Sequence, residues 1–69
     1  MSERLKRLKQ WRTGEAARLS IDSALVWPAR SLERLSRDPR SVDAEIDAPE
    51  VRRWQAREFG AGLKGAAGE

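Results

Sequence analysis

The 69-residue chain contains no cysteine and no histidine. Without cysteine there is no disulfide or thiolate metal site to staple the fold. Without histidine the chain lacks the usual general base near neutral pH, the commonest metal ligand and the partner of a serine or cysteine nucleophile. The chain is therefore expected to be non-catalytic, with no cofactor and no metal. Tyrosine is absent too, and the aromatics are three tryptophans and one phenylalanine. With Val, Ile and Thr also scarce, strands have little to build on. No apolar run approaches the ~20 residues that cross a bilayer. Residues 1–20 are basic and amphipathic rather than an apolar core followed by a cleavage site. The expectation is a cytoplasmic chain that does not engage a membrane.

What is present points to helices. Ala, Leu, Arg and Glu dominate, 39% of residues are hydrophobic and 36% are charged, and these are good helix formers. A domain of this size buries roughly 60% of the surface of its unfolded chain, so one small core is all it can support. The pattern predicts an all-α fold, a compact bundle of about five short helices over residues 1–63, followed by a flexible Gly/Ala-rich tail at 64–69. A monomer is expected.

Leu5, Leu8, Ala16 and Leu19 fall in one arc at 100° per residue and predict an amphipathic helix over residues 3–19, with Gly14 a weak point in it. The nearly apolar stretch Ile21–Trp27 reads as a buried connector, with Asp22-Ser23 capping a short turn. Pro28 starts a helix that ends before Pro39 and turns Leu32 and Leu35 inward. Ser41 is expected to cap a further turn carrying Val42 and Ile46. Asp47-Ala48-Pro49-Glu50 has the form of a capping box with proline in the first turn, so the last helix is expected to start there. It would run through Phe59, and Gly60 and Gly62 would loosen its end.

The order Leu8-Lys9-Gln10-Trp11-Arg12, Ala16, Ile21, Leu25-Val26-Trp27, Leu32, and Leu35 ahead of a proline resembles the HRDC domain, the helicase and ribonuclease D C-terminal module. Ser41-Val42, Pro49, Val51 and Phe59-Gly60 fill its later positions. The resemblance covers residues 5–63 with a single-residue gap near Asp38-Pro39. It implies an auxiliary nucleic-acid-binding or docking module beside a RecQ-like helicase or a ribonuclease D-like exonuclease. Two positions depart from the family. Its Gly-Val-Gly hairpin is replaced by Glu50-Val51-Arg52, and the aromatic that some members carry in the connector is replaced by Ala24.

Charge is uneven. Residues 1–40 hold ten Lys/Arg against five Asp/Glu, and residues 41–69 hold four against six, which suits a polyanionic partner for the first half. Arg30, Arg34 and Arg37 fall at i, i+4 and i+7 on one side of their helix, opposite Leu32 and Leu35, where they either contact successive phosphates or form a solvated face with a Glu33–Arg37 pair. Arg4, Arg7 and Arg18 share one side of the first helix. Trp11 and Trp27 read as packing residues. Trp54 lies between Arg52, Arg53 and Arg57, away from Phe59 on the helical wheel, either as a half-exposed platform for a base or folded against the first helix. The acidic run Asp43, Glu45, Asp47 and Glu50 reads as helix caps and solvated face rather than as a cation site. The sequence thus leads to weak electrostatic contact with single-stranded DNA or RNA through Arg30, Arg34, Arg37, Arg4, Arg7, Arg52, Arg53 and Trp54. The alternative is docking on the catalytic core of a parent enzyme.

Overall fold

In the computed structural model, which describes residues 3–68, the first amphipathic stripe forms α1 (Glu3–Leu19) without interruption at Gly14. Leu8 is fully buried and Ala16 nearly so, while Leu5 and Trp11 pack at the edge of the core. α1 ends in a left-handed cap. Ser20 has φ 57°, its N–H donates to the Ala17 carbonyl at 3.3 Å, and the Ile21 N–H donates to the Ala16 carbonyl at 3.0 Å. This pair of bonds is the Schellman arrangement, and it turns Ile21 back against the helix it follows.

The Asp22 carboxylate accepts from the Ala24 N–H at 2.8 Å and caps a 3-10 turn, Ser23–Leu25. At three residues per turn the side chains of so short an element diverge quickly. Val26 and Trp27 enter the core, whereas Leu25 is 49% exposed. The connector is therefore not buried throughout, and Leu19 at the end of α1 is also exposed. Pro28 leads into α2 (Ala29–Arg37), which buries Ser31, Leu32 and Leu35.

A second 3-10 turn, Pro39–Ser41, runs into α3 (Val42–Ile46). The Asp38 carboxylate, accepting from the Arg40 N–H at 3.2 Å, caps the turn. Ser41 does not act as the expected side-chain cap of α3, because its hydroxyl donates back to the Asp38 carbonyl at 2.7 Å.

The last helix, α4 (Arg53–Gly68), begins later and ends later than the sequence suggests. Asp47 closes α3 through its N–H to the Asp43 carbonyl, and the Val51 N–H to Ala48 carbonyl bond makes 48–51 a turn. The reciprocal bond of such a box is made instead by Gln55, three residues downstream of Arg52, whose Oε1 accepts from the Arg52 N–H at 2.9 Å. At the other end the helix passes through Gly60 and Gly62 and continues over the expected tail as far as Gly68, burying Leu63 and Ala67. Gly62 has a packing role. A Cβ there would lie 2.9 Å from the Trp11 indole nitrogen, so its absence lets α4 close on α1.

Among the described residues the fold is all-α, with four α-helices, two 3-10 turns and no strand. Trp27 and Phe59 fill its centre with Leu8, Leu32, Leu35 and Leu63, all fully buried. Trp11 meets both rings edge-on, with centroids 6.4 Å from Trp27 and 6.3 Å from Phe59. No described helix is long and apolar enough to cross a membrane.

Candidate functional site

The arginines predicted as one stripe on α2 separate into two kinds. Arg30 and Arg37 are exposed and pair with no carboxylate among the described residues. Arg34 is committed to the fold. Its Nε donates to Glu45 Oε2 at 3.0 Å and its Nη2 to Glu45 Oε1 at 2.8 Å, a bidentate grip, while Nη2 also reaches Glu50. Glu45 is buried, and the network runs inward from it. Ser31 Oγ donates to Glu45 Oε1 at 2.8 Å and accepts from the Trp27 indole N–H at 2.9 Å. The hydrogen bonds from Arg34 hold the Glu45 carboxyl below its ordinary range against the opposing effect of burial. Glu50 is lowered chiefly by its own hydrogen bond to Arg34, and the charge of Arg30 adds to the effect. The network ties α2 to α3 and to the loop before α4.

Three of the four carboxylates of the acidic run thereby have basic partners. Glu45 and Glu50 answer Arg34, and Asp43 pairs with Lys64 at 3.1 Å. The reading of Glu50 as a helix cap and of Glu45 as solvated face gives way to this pairing.

The basic side of α1 is similarly divided. Arg4 Nη1 donates to the Ser36 carbonyl at 3.5 Å, and Arg12 Nη1, which the sequence did not single out, donates to the Trp27 carbonyl at 3.2 Å. Arg18 pairs with Glu15 at 2.7 Å. Arg7 is half-buried and lies beside Trp11, Gly62 and Gly65. Arg4 and Arg12 thus stitch α1 to its neighbours and Arg18 pairs within the helix, which breaks up the expected phosphate-binding row.

The start of α4 has a different character. Arg52, Arg53 and Arg57 are exposed, and none pairs with a carboxylate among the described residues. Two of them stand at the first turn of the helix, where the macrodipole favours acidic groups and where α4 has none. Trp54 sits among them, 44% exposed. It is not remote from Phe59, as the helical wheel suggests. The two rings meet edge-on, with centroids 6.3 Å apart and planes inclined at 64°. Gln55 sets this geometry, because while its oxygen caps the helix its Nε2 donates to the Leu25 carbonyl at 2.9 Å. That bond brings the first turn of α4 against the 23–25 turn. Trp54 thus borders a groove of about 490 Å³ with Leu19, Ile21, Leu25 and Arg57.

Leu19, Leu25 and Trp54 are the exposed large hydrophobic side chains of the described structure, and all three line this one groove. Sequence reasoning identified Trp54 but placed Leu19 and Leu25 in the core and left Arg57 outside the predicted set. The short reach of the Asp22-capped turn was the available signal for Leu25. For Arg57 the signal was its i+4 spacing from Arg53.

No protein-family model matches the chain, and neither does any curated protein or any solved structure.

Proposed function

We propose that the chain is a non-catalytic accessory module that contacts a nucleic-acid backbone weakly and without sequence preference, through the face formed by Arg52, Arg53 and Arg57. The observation that carries this reading is the set of three guanidiniums around the exposed Trp54 that pair with no carboxylate among the described residues, whereas Arg4, Arg12, Arg18 and Arg34 are held by internal partners. Arginine suits phosphate because its planar fork offers paired donors. The resemblance to HRDC domains supports a place beside the catalytic core of a RecQ-like helicase or a ribonuclease D-like exonuclease. There a monomeric module in the cytoplasm, tethered to its enzyme, would gain from effective concentration what it lacks in intrinsic affinity. Arg30 and Arg37 are secondary contacts in this reading, and Arg34 is a structural residue.

Electrostatic binding of this kind has a Kd of about 10⁻⁴ to 10⁻⁶ M, and three contacts on a single strand give a log–log salt slope of about −2. Fluorescence anisotropy of a labelled oligonucleotide, titrated at several salt concentrations, measures both. A slope near zero, or no binding at low salt and several hundred micromolar protein, on the order of a hundred times the tighter end of that range, contradicts the reading.

A second reading has its own observation. Leu19, Leu25 and Trp54 together form an exposed apolar surface of the sort that protein partners cover, and docking on a parent enzyme would use it.

A further inference from the structure

The groove at the end of α1 has features that a row of phosphate contacts leaves unexplained. Apart from Arg57 and Glu58 its walls are apolar, and a broad aromatic ring lies half open along it rather than folded into the core. The Trp54 ring is also braced on one side, and the backbone that carries it is anchored. Phe59 meets it edge-on, and Gln55, the next residue, is buried with both ends of its amide engaged, on Arg52 and on Leu25. An aromatic ring fixed before it binds loses little freedom on binding, which favours it as a contact surface.

The charge around the groove is not neutral in effect. Arg57 lines it and has no carboxylate partner among the described residues, and Arg53 stands one turn earlier on the same helix, about 6 Å away along the axis at 1.5 Å per residue. Glu58 also lines the groove, and because Arg18 is already paired with Glu15, Glu58 remains as one carboxylate on a rim that Arg57 and the nearby Arg53 keep net positive. An apolar slot with an oriented indole, the Arg57 guanidinium on its rim and Arg53 a turn away along the same side matches a ligand that has a flat apolar face and anionic groups beside it. A protein partner fits less well. Three half-exposed side chains offer far less than the ~800 Å² per partner that a stable protein interface buries, and the arginines would need carboxylates from that partner.

Resting on the reading of the chain as a nucleic-acid module, we propose that this groove takes one unpaired base of a single strand. The base stacks on the Trp54 indole between Leu19 and Leu25, with its flanking phosphates on Arg53 and Arg57. The groove's volume lies within the ~300–1,000 Å³ usual for small-ligand sites, and a stacked base needs no specific hydrogen bond, so the site would accept any base. A duplex, whose bases are already stacked on one another, cannot offer one to the ring. The module would therefore prefer single strands, or strand ends and loops, over duplex of the same charge.

Trp54 is the one exposed indole, Trp11 being half-buried and Trp27 fully buried, so intrinsic tryptophan fluorescence reports on the site. The test titrates the full chain, Trp54→Phe and Trp54→Ala with an unlabelled oligothymidylate and with a duplex of equal phosphate count. Circular dichroism checks that each variant is folded. The expected result is fluorescence quenching by the single strand that disappears in Trp54→Phe, with single-strand affinity falling about 5- to 150-fold in Trp54→Ala and only partly in Trp54→Phe. Duplex affinity stays the same in all three proteins. If single strand and duplex bind alike, and Trp54→Ala leaves both salt-dependent affinities unchanged, the stacking proposal is overturned while the backbone reading stands. If neither nucleic acid binds, both fall. If sedimentation shows the chain self-associating and Trp54→Ala abolishes it, the groove belongs to a second copy and the proposal is overturned.

Discussion

Gly62 and Gly65 stand three residues apart in the same helix, yet replacing each with alanine should have opposite effects. Alanine in a helix interior is favoured over glycine by about 0.5–1 kcal/mol. At Gly65 a new Cβ meets nothing within 4 Å, so the whole gain should appear as stability. At Gly62 the Cβ would lie 2.9 Å from the Trp11 indole nitrogen and 3.5 Å from two further atoms of the same ring. That ring is wedged edge-on against both Trp27 and Phe59, so it cannot retreat toward the core. Overpacking of this sort costs about 1–3 kcal/mol, which exceeds or cancels the propensity gain. G65A should therefore be the more stable variant by about 1–3 kcal/mol. In a domain of this size 1 kcal/mol moves Tm by about 4–8 °C. Thermal unfolding followed by far-UV circular dichroism should place G65A above the unsubstituted chain and G62A at or below it. A G62A midpoint equal to that of G65A would refute the account of how α1 and α4 close on each other.

Three further outcomes follow from the same structure. Ser20 holds a left-handed conformation that costs a non-glycine residue about 1–2 kcal/mol; after allowing for the added freedom of the unfolded chain, S20G should raise Tm by several degrees, and a neutral or lower Tm would contradict the Schellman assignment. Glu45 and Glu50 both titrate below the ordinary carboxylate value of 4.5 in the folded state. Their contribution is therefore fully present above that value and is lost as pH falls below it toward the depressed folded values. Urea midpoints should accordingly hold steady above about pH 5.5 and drop below about pH 4.5, and the difference between the intact chain and R34Q should shrink over the same acid range; a constant difference would be evidence against the Arg34 network. Arg52 and Arg53 oppose the helix dipole at the start of α4, so R53E should raise Tm while weakening oligonucleotide binding, and a loss of stability would show that the residue has a structural role.

The sequence revealed the elements that carry their own local signals. α1 and α2 lie where the stripe of Leu8 and Ala16 and the limits set by Pro28 and Pro39 put them. It misplaced both ends of α4 for a common reason. Glu50, spelled like a capping residue, is claimed by Arg34 sixteen positions earlier. Gly62, spelled like a helix terminator, is a contact with Trp11 on another helix. Both outcomes depend on partners far away in the chain, which no local pattern contains. The same holds for the candidate site. The spacing of Arg30, Arg34 and Arg37 puts them on one face, but the buried Glu45 decides which of them is free. The exposure of Trp54 was an open alternative in the sequence. Its company, Leu19, Leu25 and Arg57, depended on the Gln55 bond to Leu25 across thirty residues.

The most direct test is a side-by-side anisotropy titration of one single-stranded oligonucleotide at low salt with the intact chain, with R53Q/R57Q and with R30Q/R37Q. The account expects R53Q/R57Q to lose most of the binding and about −1.4 of salt slope falling away with two phosphate contacts, while R30Q/R37Q binds nearly as well as the intact chain. Binding abolished in R30Q/R37Q and preserved in R53Q/R57Q would place the functional surface on α2 and contradict the assignment to the start of α4.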